Sequence, residues 1–500
     1  MDHRGQSQYH RAPSACARLA RRAKKKAAPL LAGIDALLSR CSLSGDERMA
    51  ARVRRHLLSQ LLCLGRHTLT GVLGTSGRLF CDWSADYRMY SARRVDPREL
   101  FRPVRRNLAE RLAPGQPLVV ALDDTRLRKS GNKTPGVKYV RDPLGPPFHV
   151  NFIKAQRFVQ LSMAVPAGGG MARMVPVDFA HAPAPGKPRP RADEAAWAEY
   201  RLAQRRMALP RIGAERLVAL RHDLDEEGQA DRPLWSSVDG GYTNGTFLKL
   251  QPPRTTTVGR IRGDARLYHL PLSAGKKTGR KPDFGVRAPT PEELRQDDSA
   301  PWQRIEAFAA GKTHAFKIKT LGPLRWRPAG KDQNLLLVVV APLGYRLTQG
   351  SRLLYRKPAY LICTDPAASL QEILQTYLWR WDIEVNFRDE KTLLGVGQAQ
   401  VRHENSVEPV PALAVAAYAM LLAAAHEAYG PTAIPAALPP PKWRNKTPLR
   451  ASTQSLLQHL RHEAWAQAIR FSGFKTAAPP DTKPQKLADC LESALFYATA

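Results

Sequence analysis

Three acidic residues stand where catalytic carboxylates tend to lie in α/β proteins. Asp123 follows the apolar run 117–122, Asp239 follows the apolar run 233–238, and Glu384 lies in a segment with a helical pattern. Carboxylates just beyond the carboxyl ends of central strands lie at the sheet edge where ligands bind. Carboxylate oxygens are the ligands that Mg²⁺ prefers, and two such ions can activate an attacking oxygen and stabilise the leaving one in phosphoryl transfer.

Each acid alone is a weak signal, because an Asp after a strand is more often a turn or cap residue and a helical Glu is usually solvated. The residues around Glu384 add to it. Tyr377, Arg380 and Lys391 stand at positions −7, −4 and +7 from Glu384, and at about 3.6 residues per turn all four share one helix face. Two cations and a phenol beside a metal-binding carboxylate would bind a phosphate backbone. An ordinary amphipathic helix explains the charges, but not their alignment with two strand-end aspartates. Asp382 and Glu390 are expected to point elsewhere.

The same four residues have the spacing of the signature around the catalytic glutamate in insertion-sequence transposases of the "four" group, a family of DDE transposases. Residues 123–125, Asp-Asp-Thr, resemble the first-aspartate motif of that family. Residues 239–242, Asp-Gly-Gly-Tyr, resemble the second motif with one extra Gly, and residues 259–262, Gly-Arg-Ile-Arg, resemble the Gly-Arg-x-Arg stretch that follows it. The resemblance covers roughly residues 45–430.

The resemblance implies that Asp123, Asp239 and Glu384 are catalytic and hold Mg²⁺, with Mn²⁺ as an alternative. It implies cleavage of double-stranded DNA at terminal inverted repeats, attack of the 3′-hydroxyl on target DNA, and a dimer on DNA. Several relatives stack a flipped base on an aromatic residue of the insertion, for which Trp326 is the candidate here, although a strand Trp is more often a core residue. The residues expected to contact DNA are Tyr377, Arg380, Lys391, Arg260, Arg262, Lys129 and Trp326.

The first aspartate has two candidates. Asp123 and Asp124 are adjacent and point to opposite faces if the strand continues. We choose Asp123, because the position after the aspartate is commonly Gly in the resembling family. Lys129, a few residues on, either contacts DNA or lies in a solvated loop.

The charge of the chain indicates a polyanionic partner. Lys and Arg total 77 against 44 Asp and Glu, a formal net charge of +33, and nucleic acid is the commonest reason for such an excess. A merely basic protein has the same composition, so the charge says nothing about chemistry.

The six cysteines include no Cys-x-x-Cys pair, which argues against a structural zinc site and fits reduced thiols in a bacterial cytoplasm. The longest apolar run, 410–425, is shorter than the roughly 20 residues that span a bilayer. We expect a buried helix there and no membrane association.

The order of predicted elements indicates an α/β fold. We expect an RNase H-like catalytic core with a β-rich insertion between the second Asp and the Glu, plus an N-terminal helical domain. The predicted boundaries are 1–112 for a separate helical domain that binds DNA ends or supports the core, 113–245 for the first part of the core, 246–366 for the insertion, 367–430 for the second part with the catalytic helix, and 431–500 for a Pro- and Lys-rich segment and a last helix.

Three other functions are alternatives to transposition, and each predicts a different behaviour towards DNA. A catalytically silent DNA-binding protein of transposon origin would bind but not nick DNA. An RNase H-like nuclease would cut without strand transfer. A glycosidase also uses paired carboxylates, but the charge and the cations beside Glu384 argue against it.

Overall fold

The computed structural model describes residues 28–43, 46–78, 80–131, 133–142, 145–146, 148–149, 151–271, 282–432 and 448–471. The basic segment 1–27 and residues 433–447 and 472–500 of the predicted C-terminal segment lie outside the described residues. The described part is a mixed α/β protein, as predicted.

The N-terminal part is helical, as its pattern predicts. Asp46 and Asp96 begin two of its helices by accepting hydrogen bonds from the backbone N–H of the second helical residue, which is the usual role of an N-cap aspartate. The helices are α1 (Pro29–Leu38), α2 (Glu47–Leu62), α3 (Leu69–Thr75), α4 (Ser84–Ser91) and α5 (Pro97–Ala109). Their apolar faces belong to the same hydrophobic core as the sheet, so they do not form a separately packed unit.

One large sheet runs through the molecule. The strands are β1 (Leu118–Arg128), β2 (Lys138–Arg141), β3 (Phe152–Pro166), β4 (Ala172–His181), β5 (Leu234–Val238), β6 (Thr255–Arg260), β7 (Leu267–His269), β8 (Gln303–Ala309), β9 (Lys312–Trp326), β10 (Asn334–Val340), β11 (Gly344–Tyr345), β12 (Leu354–Tyr355) and β13 (Ala359–Cys363). The spatial order in the large sheet is β2-β3-β1-β5-β6-β13-β10-β9-β7, with β4 beside β3 and β8 beside β9, while β11 and β12 form a small hairpin.

The region predicted as an insertion does not fold apart from the core. Strands β1, β5 and β6 are parallel neighbours, so β6 belongs to the centre of the sheet although it falls within the predicted insertion. β13 then pairs antiparallel with β6, and β10 and β9 follow. The apolar β13 pairs with the backbone groups of β6 that an edge strand would leave exposed, and this continues the sheet.

Helices cover both faces of the sheet. The remaining helices are α6 (Glu194–Arg206), α7 (Leu209–Leu224), α8 (Gly245–Lys249), α9 (Pro291–Gln296), α10 (Leu370–Trp379), α11 (Trp381–Thr392), α12 (Pro409–Tyr429) and α13 (Thr453–Phe471). Val119 and Ala121 of β1 share a core with α10 and α11. Leu118, Val120 and Leu122 face the larger core on the other side, which explains why this strand reads as a continuous apolar run.

The long apolar helix α12 is a core element. It is long and apolar enough to cross a membrane, yet 89% of its apolar window is buried inside the protein. It packs against α1, α2, α5 and β4. The prediction of a buried helix over 410–425 is confirmed.

The predicted single helix after residue 369 is divided at Arg380, between α10 and α11. The backbone N–H of Arg380 donates to the carbonyl of Tyr377, and that of Ile383 donates to the carbonyl of Arg380, at 3.2 and 3.1 Å. These bonds to the third preceding residue tighten the chain locally, and the break lies directly before the turn that carries Glu384.

Candidate active site

Two aspartates meet where parallel strands end. In the pairing of β1 with β5, Leu122 lies opposite Val238, so the next residues, Asp123 and Asp239, lie side by side. β5 ends at Val238, whereas β1 continues to Arg128 by pairing with β3. The two carboxylates therefore border an opening at the carboxyl edge of the parallel strands, where ligands bind in such sheets.

Arg380 joins the first aspartate to the catalytic helix. Its Nη1 donates a hydrogen bond to Asp123 Oδ2 at 3.1 Å and lies 4.0 Å from Glu384 Oε1. The side chains of Asp123 and Arg380 are 14% and 11% exposed, whereas that of Glu384 is 45% exposed. The structure thus brings Asp123 and Glu384 to the same guanidinium group, with Asp239 beside Asp123.

Asp124 points away from this group. Its Oδ1 accepts a hydrogen bond from the Tyr242 hydroxyl at 3.4 Å, and Tyr242 is buried against α7, where it contacts Gly213. Burial raises the pKa of Asp124, and the nearby charges of Arg126 and Arg157 oppose that rise. Of the two adjacent aspartates, Asp123 is the one that shares a sheet face with Glu384.

The carboxylates at this edge carry excess negative charge. Burial raises the pKa of Asp123 to about 7, Arg380 opposes the rise, and Asp239 adds to it by repulsion. A neighbouring carboxylate disfavours the ionised form unless a cation compensates it. The group is therefore suited to bind a further cation.

Tyr377 on α10 and Lys391 on α11 lie on either side of the junction at Arg380. The Arg380 guanidinium lies 5.8 Å from the Tyr377 ring centroid. The pKa of Lys391 is lowered by desolvation and by repulsion from Arg126 and Arg128, and attraction to Glu390 and Glu384 opposes this. The positive charges of Arg126 and Arg128 on β1 therefore lie near Lys391 on α11, which is attracted to Glu384.

A tight turn holds Asp239. Asp239 Oδ1 accepts hydrogen bonds from the backbone N–H of Gly241 and Tyr242 at 2.9 and 3.2 Å. A Cβ on Gly241 would lie 3.2 Å from the same oxygen, so the glycine leaves room for the carboxylate. The turn orients Asp239 through the backbone.

Two other acids of α11, Asp382 and Glu390, have partners away from the site, as expected. Asp382 accepts hydrogen bonds from Arg450 and from the backbone of Met174. Glu390 is 1% exposed and hydrogen-bonds Gln160, and burial raises its pKa to about 8. Gln160 is paired across β1 and β3 with Asp123, so a buried polar contact lies behind the first aspartate. No sequence pattern predicts this contact, since it depends on strand register.

Residues 41–326, more than half of the chain, match the family described as DDE superfamily endonuclease. The chain belongs to this superfamily. The match includes Asp123 and Asp239 and ends before Glu384. No curated protein matches the chain. Membership supports a nuclease- or transposase-like activity with DNA as the substrate class, and such domains typically use divalent metals.

Two of the residues expected to contact DNA lie at the sheet edge that carries the carboxylates. Arg260 ends β6, exposed and level with Asp239, since Val238 pairs with Gly259. Arg262 follows it and forms an exposed ion pair with Asp264 at 2.8 Å.

Two expected DNA contacts are placed differently. Lys129 is 6% exposed, and its Nζ donates to the carbonyls of Gly397 and Ala399 at 2.8 and 2.7 Å, so it anchors a loop and is removed from the DNA-contacting set. Trp326 is half-buried against the core. It pairs with Leu267 at the end of β9 that lies away from the carboxylates. Trp326 is therefore also removed from the DNA-contacting set, because its strand at the sheet periphery is partly apolar and buries the aromatic side chain.

A different aromatic residue lies beside the catalytic helix. Trp381 is 68% exposed, one turn before Glu384 on α11. Its neighbour Trp379 donates its indole N–H to the carbonyl of Gly170 and so has a structural role. The exposure of Trp381 was not deducible from the sequence, since both tryptophans fit an amphipathic helix.

The donor set fits a divalent ion of the kind that DDE endonucleases use. Asp123, Asp239 and Glu384 offer hard carboxylate oxygens, which suit Mg²⁺ and Mn²⁺. The guanidinium of Arg380 between Asp123 and Glu384 shows that a positive charge is accommodated there.

A second group with metal-ligand chemistry, His222, Asp223 and Glu226, lies at the end of α7. Asp223 is 2.9 Å from Arg105, so its charge is already compensated. This group lies on the sheet face opposite α11 and takes no part in the site.

Proposed function

We propose that this protein is a DNA transposase with an RNase H-like catalytic core. It cuts DNA at the ends of a mobile element and joins them to target DNA by attack of the 3′-hydroxyl. The observation that carries this proposal is the meeting of Asp123, Asp239 and Glu384 at one sheet edge, with Arg380 contacting two of them.

The residues of the site have different roles in this proposal. Asp123, Asp239 and Glu384 would hold Mg²⁺ or Mn²⁺, and the bound ions supply activation of the attacking oxygen and stabilisation of the leaving one. Arg380, at the junction of α10 and α11, positions the Asp123 carboxylate through its hydrogen bond. Lys391 and Arg260 supply positive charge at the same edge for the phosphates that flank the cut.

The finer assignment is to insertion-sequence transposases of the "four" group. It is supported by the spacing of Tyr377, Arg380, Glu384 and Lys391, which lie on α10, at its junction with α11 and on α11. Two element ends must be joined, which favours a dimer on DNA. We place this reaction in the bacterial cytoplasm. The N-terminal helices are candidates for recognising the inverted repeats.

A cleavage assay tests this function. Purified protein is incubated with a labelled duplex that carries the gene's flanking sequence, with Mg²⁺ or with EDTA. We expect cleavage at the element boundary that requires the metal and is lost in Glu384→Gln. Glu199→Gln is the matched control, because Glu199 is exposed on α6, which packs on α7.

Each other result identifies a different protein. Tight binding without cleavage in Mg²⁺ or Mn²⁺ indicates a catalytically silent DNA-binding protein. Cleavage that ignores the end sequence, with no product joined to a target plasmid, indicates a nuclease that does not transpose.

A further inference from the structure

A basic hairpin projects from the sheet edge that carries the carboxylates. Residues 341–358 connect β10 to β13 and contain the β11–β12 pair, in which Tyr345 lies opposite Leu354. The turn at its tip is closed by a hydrogen bond from the backbone N–H of Ser351 to the carbonyl of Thr348. The segment is folded, and we call residues 341–358 the basic hairpin.

The register of the sheet places the basic hairpin close to the site. Leu361 of β13 pairs with Arg260 of β6, which is level with Asp239 of β5. The start of β13 is therefore two strands from Asp239, roughly 10 Å at the usual strand spacing. Val340 and Ala359, which pair with each other, lie at this same edge, so the hairpin leaves the sheet beside the carboxylates.

The charge of the basic hairpin has one sign. It contains Arg346, Arg352, Arg356 and Lys357 and no Asp or Glu. All four cations are exposed, and none forms an ion pair with a carboxylate in the described part of the chain. Arg356 lies 5.1 Å from the ring centroid of Tyr345, and Tyr355 is 66% exposed.

Two other exposed cations of the same edge are compensated by carboxylates. Arg262 pairs with Asp264, and Arg128 pairs with Asp142 at 2.7 Å. Unpaired arginines grouped on one element repel each other, and an arrangement of this kind is stabilised by a polyanion. The planar guanidinium group also matches phosphate oxygens in geometry.

We propose that the basic hairpin binds the phosphate backbone of double-stranded DNA next to the cleavage site. This inference rests on the proposed function and names the surface that holds the duplex. Contacts to phosphates carry no sequence information, so the hairpin contributes affinity for any duplex, whether element end or target.

Salt-dependent binding tests the proposal. Affinity for a random-sequence duplex is measured by fluorescence anisotropy in EDTA at several salt concentrations, for the full chain and for the triple variant Arg352→Gln, Arg356→Gln, Lys357→Gln. Each phosphate contact contributes about 0.9 to the slope of log affinity against log salt. We expect the triple variant to lower that slope by about 3 and to weaken binding on the order of a hundredfold at ~0.1 M salt.

Two controls separate position from total charge. The variant Arg191→Gln, Arg205→Gln, Arg206→Gln removes the same charge from exposed sites on and before α6, and it should keep the wild-type slope. The variant Arg352→Lys, Arg356→Lys keeps the charge of the hairpin and should bind nearly as the wild type does.

The outcomes distinguish this inference from the proposed function. If the wild type does not bind duplex DNA, the proposed function fails. If the wild type binds and the hairpin variant has an unchanged slope and affinity, the hairpin does not contact DNA and this inference is overturned. An unchanged affinity with loss of a dimer in sedimentation would assign the hairpin to contact with a second copy instead.

Discussion

At the scale of single residues, the site depends on which side of β1 each side chain faces. Asp123 and Asp124 are neighbours, yet the first contacts Arg380 and the second contacts Tyr242. A shift of one residue in the register would exchange them. The pairing of Asp123 with Gln160 and of Leu122 with Val238 fixes that register from both sides of the strand.

The two aspartates are therefore expected to differ sharply in function. Asp123→Asn should lower the cleavage rate by at least about a hundredfold, the scale of losing one charged group from a catalytic centre, because it removes a carboxylate from the group with Glu384. Asp124→Asn should retain most of the rate. Single-turnover cleavage measures both, and a larger loss in Asp124→Asn would reverse the assignment.

Trp381 is expected to contact a base or sugar of the bound strand. Stacking of a base on an aromatic ring contributes about 1–3 kcal/mol, so Trp381→Ala should weaken DNA binding by roughly tenfold. Trp381→Phe should recover most of that loss. Binding is measured in EDTA, with Trp326→Phe as a control that leaves DNA affinity unchanged. Equal affinity of Trp381→Ala and the wild type would contradict the contact.

At the scale of elements, β6 and the turn after β5 are packed so closely that only glycine fits between them. A Cβ on Gly259 would lie 2.3 Å from Thr243 Oγ1 and 3.0 Å from Val238 Cγ2. The same Thr243 hydroxyl donates to the carbonyl of Asp239 at 2.8 Å. The backbone of β6 thus supports the Asp239 turn, which gives a physical reason for the glycine of the Gly-Arg-x-Arg stretch.

Gly259→Ala is expected to destabilise the protein by about 1–3 kcal/mol, the usual cost of overpacking. It should also lower cleavage by at least about tenfold, because displacing Thr243 moves Asp239. Gly65→Ala is the control, since Gly65 is exposed with no atom within 4 Å of its added Cβ. Urea denaturation and cleavage rates together check this, and a Gly259→Ala protein with wild-type stability would contradict the packing argument.

The sequence predicted the helices and strands better than it predicted which of them pack or pair with one another. The apolar runs ending at Asp123 and Asp239, the helix of Glu384 and the buried helix over 410–425 are local patterns, and all are found. The pairing of β13 with β6, which merges the predicted insertion with the core, joins segments about a hundred residues apart and has no local signal. The burial of Lys129 and Trp326 likewise depends on loops and strands distant in the sequence.

At the scale of the whole molecule, the N-terminal helices are joined to the segment that follows the catalytic helix. His67, between α2 and α3, is 4% exposed, and its backbone N–H donates to Gln398 Oε1 at 2.8 Å. Gln60 of α2 donates to the carbonyl of Leu394 at 2.6 Å. The N-terminal helices and the segment that follows α11 therefore share one interface.

This interface should make stability depend on pH. Burial, with repulsion from Arg461, lowers the pKa of His67 to about 4, below the ordinary value of about 6.5. The unfolded chain therefore binds the proton more tightly, and stability is lost as pH falls from about 6.5 towards 4. Between pH 7 and 5 this residue should account for a loss of about 2 kcal/mol, at ~1.4 kcal/mol per pH unit.

Urea denaturation of the wild type and of His67→Gln at pH 7 and pH 5 measures the effect. The variant should lose less stability than the wild type over this interval, by about 2 kcal/mol. The same difference in both proteins would show that His67 does not titrate in this way.

The packing of α12 also has a consequence for the order of events during synthesis. The apolar faces of α1, α2 and α5 are completed by α12, which begins at residue 409. At about 5–20 residues per second, a ribosome needs on the order of 20–80 s to pass from the first helix to the last turn of α12. Throughout that interval the surfaces of the N-terminal helices that α12 covers stay exposed, so we expect the nascent chain to bind chaperones and a product truncated before residue 409 to aggregate.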